Sequence, residues 1–123
     1  MKELENNSDY QNLIANWQQV SKQVNQACED AARQVDSVIL LAVSKTKPAD
    51  MIATLAQQGQ QHFGENYLQE AIEKIDMLKQ QPETKDIVWH YIGSIQRNKT
   101  RDIAEHFDWV QTVERDIIAK RLN

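Results

Sequence analysis

The residues of this sequence best suited to chemistry are the lysines that follow its most apolar segment. Val38 to Val43 is a continuous apolar run, and Ser44, Lys45, Thr46 and Lys47 come directly after it. An amine beside an apolar wall loses part of its hydration, which favours the neutral form that attacks a carbonyl carbon. Lys45 is therefore a candidate for covalent chemistry with an aldehyde. The alternative is an ordinary solvated lysine in a loop.

Two further polar residues stand where later apolar segments end. Asn66 follows the short segment His62 to Gly64, and His90 lies in the segment Ile87 to Ile92. Either residue could face a ligand from the end of a strand. The alternatives are that Asn66 caps the helix that starts near Tyr67, and that His90 is a core histidine hydrogen-bonded to backbone.

A basic cluster follows the third apolar segment. Arg97, Lys99 and Arg101 lie close together at the start of a predicted helix. Such a cluster could attract a phosphate group. The alternative, which we favour, is an ordinary solvated helix face.

The elements that must position these residues alternate along the chain. An unbroken apolar run is typical of a strand buried on both faces of a parallel sheet. Pro48 suits the first turn of a helix and Gly59 suits a C-terminal cap. We predict strands near residues 38–44, 61–64, 87–92 and 109–113, each followed by a helix, the later helices covering residues 67–79, 98–106 and 114–122.

A long helix is predicted ahead of the first strand. Residues from Tyr10 to Arg33 include no Gly or Pro, and apolar side chains recur at spacings of three and four. Ser8 or Asp9 is the predicted N-cap. Cys28 falls on the apolar stripe, so we expect it to be buried. We also expect Trp17, Trp89 and Trp109 to be packing residues, and the paired glutamines at 57–58 and 60–61 to lie on the surface.

This alternation predicts an α/β fold with a parallel sheet and helices outside it. Right-handed crossovers bring the carboxyl ends of the strands to one edge, where such sheets bind ligands. Lys45, Asn66 and His90 are therefore expected near that edge.

The composition of the chain argues against several classes of protein. The net charge of -4 and the calculated pI of about 5.3 argue against a general nucleic-acid binder, which needs a basic surface. No apolar run approaches the roughly 20 residues that a membrane-spanning helix needs, and the N-terminal residues do not resemble a signal peptide. A single cysteine cannot form an internal disulfide, so we expect a cytoplasmic location. His62, His106 and Cys28 lack the spacing of metal ligands, and no metal is expected.

Four motifs, in order and along nearly the whole chain, resemble the pyridoxal phosphate homeostasis protein family, which is related to the N-terminal domain of alanine racemase. Here and below, PLP stands for pyridoxal phosphate. The motifs are Leu40–Pro48, Phe63–Tyr67 with Gln69 and Glu70, Trp89–Gly93 with Gln96, Asn98 and Lys99, and Glu105–Trp109.

The resemblance implies a fold and a site. Residues 1–123 would form the N-terminal portion of a (β/α)₈ TIM barrel, with four parallel βα units after a long helix. Lys45, not Lys47, would hold the aldehyde of pyridoxal 5'-phosphate, and Asn66 and His90 would face the cofactor. No catalytic residue is implied.

The resemblance also implies a function, a carrier or regulator of the intracellular vitamin B6 pool. The alternative is a PLP-dependent racemase or decarboxylase, but the second domain and catalytic tyrosine of the racemases have no match here. The family's domain is close to twice this length, and its later strands grip the cofactor phosphate. We therefore expect weaker PLP binding by a partial barrel. We also expect its open edges to promote self-association, and a complete barrel to be monomeric.

Overall fold

A parallel sheet lined with helices on one face is the main feature of this protein. The structure is a computed structural model that describes residues 2–111, with side chains from Asp9 onward. The helices are α1 (Lys2–Asp30), α2 (Ala49–Gln57), α3 (Leu68–Lys79) and α4 (Thr100–His106). The strands are β1 (Ala42–Val43), β2 (His62–Glu65), β3 (Val88–Tyr91) and β4 (Trp109–Val110).

The four strands are all parallel and lie side by side in chain order. This order confirms the predicted fold class, an α/β arrangement consistent with the N-terminal portion of a TIM barrel. The register places Val43, Gly64, His90 and Trp109 in one row across the sheet. The helix predicted over residues 114–122 and the end of the strand predicted over residues 109–113 lie outside the described residues.

One face of the sheet is covered by helices and forms the hydrophobic core. Phe63 and Trp89 pair across β2 and β3, and both are 1% exposed or less. Their alternation partners Glu65 and Tyr91 point to the same side, because successive side chains of a strand face opposite ways. The core residues supplied by helices α2, α3 and α4 are Ile52, Leu55, Ala71, Ile75, Leu78 and Ile103.

The other face has no covering element among the described residues, and we call it the open face. It carries the side chains of Val43, His90 and Trp109 from that row, with Gly64 as a gap between them, and the side chains of His62 and Gln111. A groove on it is lined by Ile39, Leu41, His62, His90, Trp109 and Gln111. Val43 is 51% exposed and Trp109 is 58% exposed.

Local signals of helix ends are confirmed at α2. Gly59 has a φ of +113°, which favours glycine, and its N–H donates to Ala56 O at 3.0 Å. The N–H of Gln60 donates to Leu55 O at 3.1 Å, which completes a Schellman cap. The chain therefore turns sharply from α2 into β2.

Four predictions from the sequence were wrong in detail. β1 is shorter than predicted, because in its register with β2 the residues 38–40 would pair ahead of His62, where β2 begins. The helix α1 continues through Ser8 and Asp9, so neither is its N-cap. Trp109 is exposed on the open face. Gln60 is 6% exposed, and its amide donates to the carbonyls of Leu40 and His62.

Cys28 is buried and free, as predicted. Within residues 2–111, no helix combines the length and the apolar character that crossing a membrane requires.

Candidate functional site

Lys45 lies in the loop that joins β1 to α2, at the carboxyl end of the first strand. Ser44 N donates to Gly64 O at 2.9 Å, which keeps the loop's first residue against β2. Lys47 N donates to Ser44 O at 3.1 Å and closes a tight turn over Lys45 and Thr46. Lys45 is exposed. Its amine is therefore carried on a turn anchored to the sheet.

A buried ion pair lies directly behind this loop, on the helix-covered side. Lys74 Nζ is 2.8 Å from Glu65 Oε2, and their side chains are 8% and 0% exposed. The Ser44 hydroxyl also donates to Glu65 Oε2. Removing one partner from such a pair leaves a buried charge and costs about 3–5 kcal/mol. This pair therefore joins β1, β2 and α3 where the lysine loop begins.

Neither Glu65 nor Lys74 was predicted from the sequence to be a site residue. The available signal was the position of Lys74 within the apolar stripe of α3, between Ala71, Ile75 and Leu78. A lysine on a helix is usually solvated, so this signal was weak.

Asn66 follows β2 directly and does not cap α3. The N-cap of α3 is Tyr67, which makes no side-chain capping bond. The side-chain oxygen of Asn66 is buried and has no hydrogen-bond partner among the described residues. A Cβ built at Gly93 would lie 2.9 Å from Asn66 Cβ and 3.0 Å from Asn66 O. Gly93 therefore permits the placement of Asn66 at the end of the sheet.

His90 lies within β3 on the open face, one residue before the strand ends. Gln111 Nε2 is 2.8 Å from His90 Nδ1, and His90 Nε2 is 2.9 Å from His62 Nδ1. With the Gln111 amide oriented so that its nitrogen donates, His90 carries its proton on Nε2 and donates to His62. The partners of His90 are side chains and not the backbone groups of the alternative prediction.

The surroundings of His90 favour its neutral form. Burial lowers its pKa below the ordinary value of 6.5, and the neighbouring His62 lowers it further, while Asp108 acts in the opposite direction. Trp109 stacks on the His90 ring at a centroid distance of 6.2 Å.

The predicted site residues share one region without sharing one cavity. Asn66 borders a cavity with Tyr91, Ser94 and Lys99, whereas His90 lines the groove on the open face. Lys45 and Asn66 both follow the ends of neighbouring strands, and His90 lies one row behind, level with Gly64. Their roles toward a cofactor stay predictions.

The predicted basic cluster is exposed. Arg97, Lys99 and Arg101 are all on the surface, and Arg101 pairs with Glu105 at 2.9 Å. This supports the solvated helix face. Among residues 2–111, no group of three or more His, Cys, Asp or Glu side chains is arranged to hold a metal ion.

The curated relatives reported for this chain share one name. Three curated relatives are named pyridoxal phosphate homeostasis protein. The relative from Haemophilus influenzae is 47% identical over 112 residues, 91% of this chain and 46% of its own length. That of Escherichia coli K12 is 46% identical over 90% of this chain and 47% of its own. That of Pseudomonas aeruginosa is 48% identical over 90% and 46%.

Two solved structures share the fold. PipY of Synechococcus elongatus, with PLP bound, is 40% identical, with a TM-score of 0.64 over 80% of this chain and 46% of its own. An unknown protein from Bifidobacterium adolescentis has a TM-score of 0.80 over 94% of this chain and 49% of its own, at 24% identity, a likeness of fold alone. No family model matches the chain.

The chain spans about half the length of the curated relatives it matches. Over that half, the chain is 46–48% identical to proteins named pyridoxal phosphate homeostasis protein, and the four motifs of the sequence point to the same family.

Proposed function

We propose that this protein binds PLP through Lys45 and serves as a carrier or regulator of the cellular PLP pool. The observation that carries the proposal is the anchored turn that presents Lys45 at the carboxyl edge of the sheet, in a chain 40% identical to PipY, whose structure has PLP bound. When bound, PLP supplies an aldehyde that condenses with a neutral amine, forming a carbon–nitrogen double bond and releasing one water.

The residues around Lys45 suit this role. The loop is exposed, so a cofactor from solution can reach the amine. The unpartnered side-chain oxygen of Asn66 offers a hydrogen-bond acceptor at the end of the neighbouring strand. On the open face, neutral His90 would place no positive charge near the cofactor.

We further propose that the protein does not catalyse racemisation or decarboxylation. Such enzymes need a free acid or base beside the cofactor. Both ring nitrogens of His90 are engaged, one with His62 and the other with Gln111. Amino-acid racemisation above the background of free PLP would contradict this proposal.

Three further proposals concern the domain, its location in the cell and its self-association. Residues 1–123 are proposed to belong to one barrel domain of the alanine racemase N-terminal type, because the described strands form one sheet over one core. A cytoplasmic location is proposed from the single free cysteine. Self-association through exposed apolar residues of the open face stays a prediction.

The test is a titration of the protein with PLP, followed by visible absorbance. The wild type should develop an absorption band from the carbon–nitrogen double bond. Lys45→Ala should lose that band. Lys47→Ala is the matched control, since it removes a neighbouring loop lysine, and it should keep most of the band. Equal spectra for Lys45→Ala and the wild type would overturn the proposal.

A further inference from the structure

The loop that carries Lys45 is held from behind by side chains of α3. Lys74 Nζ donates to Ser44 O at 2.9 Å and to Lys47 O at 3.1 Å. These two carbonyls lie on either side of Lys45 in the chain. One ammonium group therefore joins both ends of the turn.

A second side chain of α3 holds the middle of the same turn. Thr46 N donates to Glu70 Oε1 at 3.0 Å. Glu70 also lies 3.2 Å from Lys74 Nζ, one helical turn along α3. Backbone groups of Ser44, Thr46 and Lys47 are thus all bound by side chains of α3. These residues flank Lys45 in the chain, and its own side chain stays exposed.

This turn needs external support. Thr46 has a φ of +63°, in the left-handed region that a β-branched residue rarely adopts. Such a conformation persists only where surrounding contacts determine it. The bonds from Lys74 and Glu70 are contacts of this kind.

The Lys74 side chain, which holds the loop, is itself fixed in place by a buried partner. Lys74 is paired with Glu65, which is fully buried in β2 beneath the loop. Lys74 lies on the helix-covered side of the sheet, so it acts on the open-face chemistry only through the loop.

We propose that Lys74 is a positioning residue for Lys45. By binding the carbonyls of Ser44 and Lys47, it sets the conformation of the turn and so the place from which the Lys45 amine meets an aldehyde. This inference rests on the proposed function of Lys45.

The experiment compares Lys74→Met with the wild type. Methionine is unbranched and only one atom shorter than lysine, but it has neither charge nor donors. PLP is mixed with each protein, and two quantities are measured: the rate at which the visible band appears, and its dependence on pH. Misplacement of a reacting group by about an ångström can slow a reaction by about a hundredfold. Lys74→Met should therefore lower the rate at which the band appears by at least about tenfold.

Leu78→Ala is the matched control. It removes a buried side chain from the same helix, 1% exposed, without touching the loop. It should lower the unfolding temperature but leave the rate and pH dependence of the band as in the wild type. Hydrogen exchange without PLP gives an independent readout, because the Thr46 amide should exchange faster in Lys74→Met and not in Leu78→Ala.

A second variant covers the case in which Lys74→Met does not fold. Glu70→Ala removes a side chain that is 39% exposed, and it should also speed exchange at Thr46 and slow the band. Wild-type rate, pH dependence and exchange in the folded variants would overturn the role of Lys74 while leaving the role of Lys45 intact. Absence of a band in the wild type would instead overturn the proposed function.

Discussion

The two faces of the sheet differ in what they hold and in what they leave to solvent. On the helix-covered face, the side chains of Phe63, Glu65 and Trp89 are at most 1% exposed. On the open face, Val43 and Trp109 are more than half exposed. The first face therefore supplies most of the folding free energy. The second carries the polar groups that a ligand could meet, and the Lys45 loop joins the two at their shared edge.

The largest effect expected from this comparison is on stability. Trp89→Ala empties a fully buried site and should lower the free energy of unfolding by about 3–5 kcal/mol. Trp109→Ala removes the same atoms from the open face and should cost less than about 1 kcal/mol. Urea unfolding of both variants measures the two costs. Similar costs would mean that the open face is packed against something.

A smaller effect is expected at two glycines near the carboxyl edge. Gly93→Ala places a methyl group 2.9 Å from Asn66 Cβ and 3.0 Å from Asn66 O, so backbone must move. We expect a cost of about 1–3 kcal/mol and weaker PLP binding. Gly64→Ala is the control, because the atoms nearest to its methyl group belong to the side chains of Ile92 and Leu41, at 3.2 and 3.3 Å, and not to backbone. Urea unfolding and PLP titration should show a larger loss of stability and of PLP affinity for Gly93→Ala than for Gly64→Ala. The reverse order would contradict this placement of Asn66.

The smallest effect expected is the pH dependence from His90. Its pKa is lowered in the folded protein, so the unfolded chain takes up a proton first as pH falls through about 6.5. The stability that neutral His90 contributes is thus present above that pH and is lost as pH falls toward the lowered pKa. His90→Gln should reduce the loss of stability that the wild type shows as pH falls below about 6.5. The measurement is the free energy of unfolding at a series of pH values. Parallel curves of this free energy against pH for the variant and the wild type would show that His90 does not titrate in this way.

Strand order and most element bounds could be predicted from the sequence because their signals are local. The helix predicted over residues 67–79 was confirmed as α3, Leu68–Lys79, and Gly59 ends α2 as predicted. Apolar spacing, proline and glycine each act within a few residues, so they can be detected without tertiary structure.

The missing details depend on contacts between distant parts of the chain. Lys74 is buried because Glu65 and the Ser44 and Lys47 carbonyls satisfy it, and none of these partners is near it in the usual helical spacing. Gln60 is buried because it bonds both Trp17 and Leu40. Trp109 is exposed because its strand face is uncovered within the described residues. Residue type alone favoured the opposite in all three cases.

The most direct test of the account is to locate the covalent attachment of PLP. The wild-type protein is mixed with PLP, reduced with borohydride to make the attachment permanent, digested and analysed by mass spectrometry. We predict the pyridoxyl group on Lys45, whose flanking backbone groups are bound by side chains of α3. A pyridoxyl group found mainly on Lys47 or on any other lysine would contradict the central assignment.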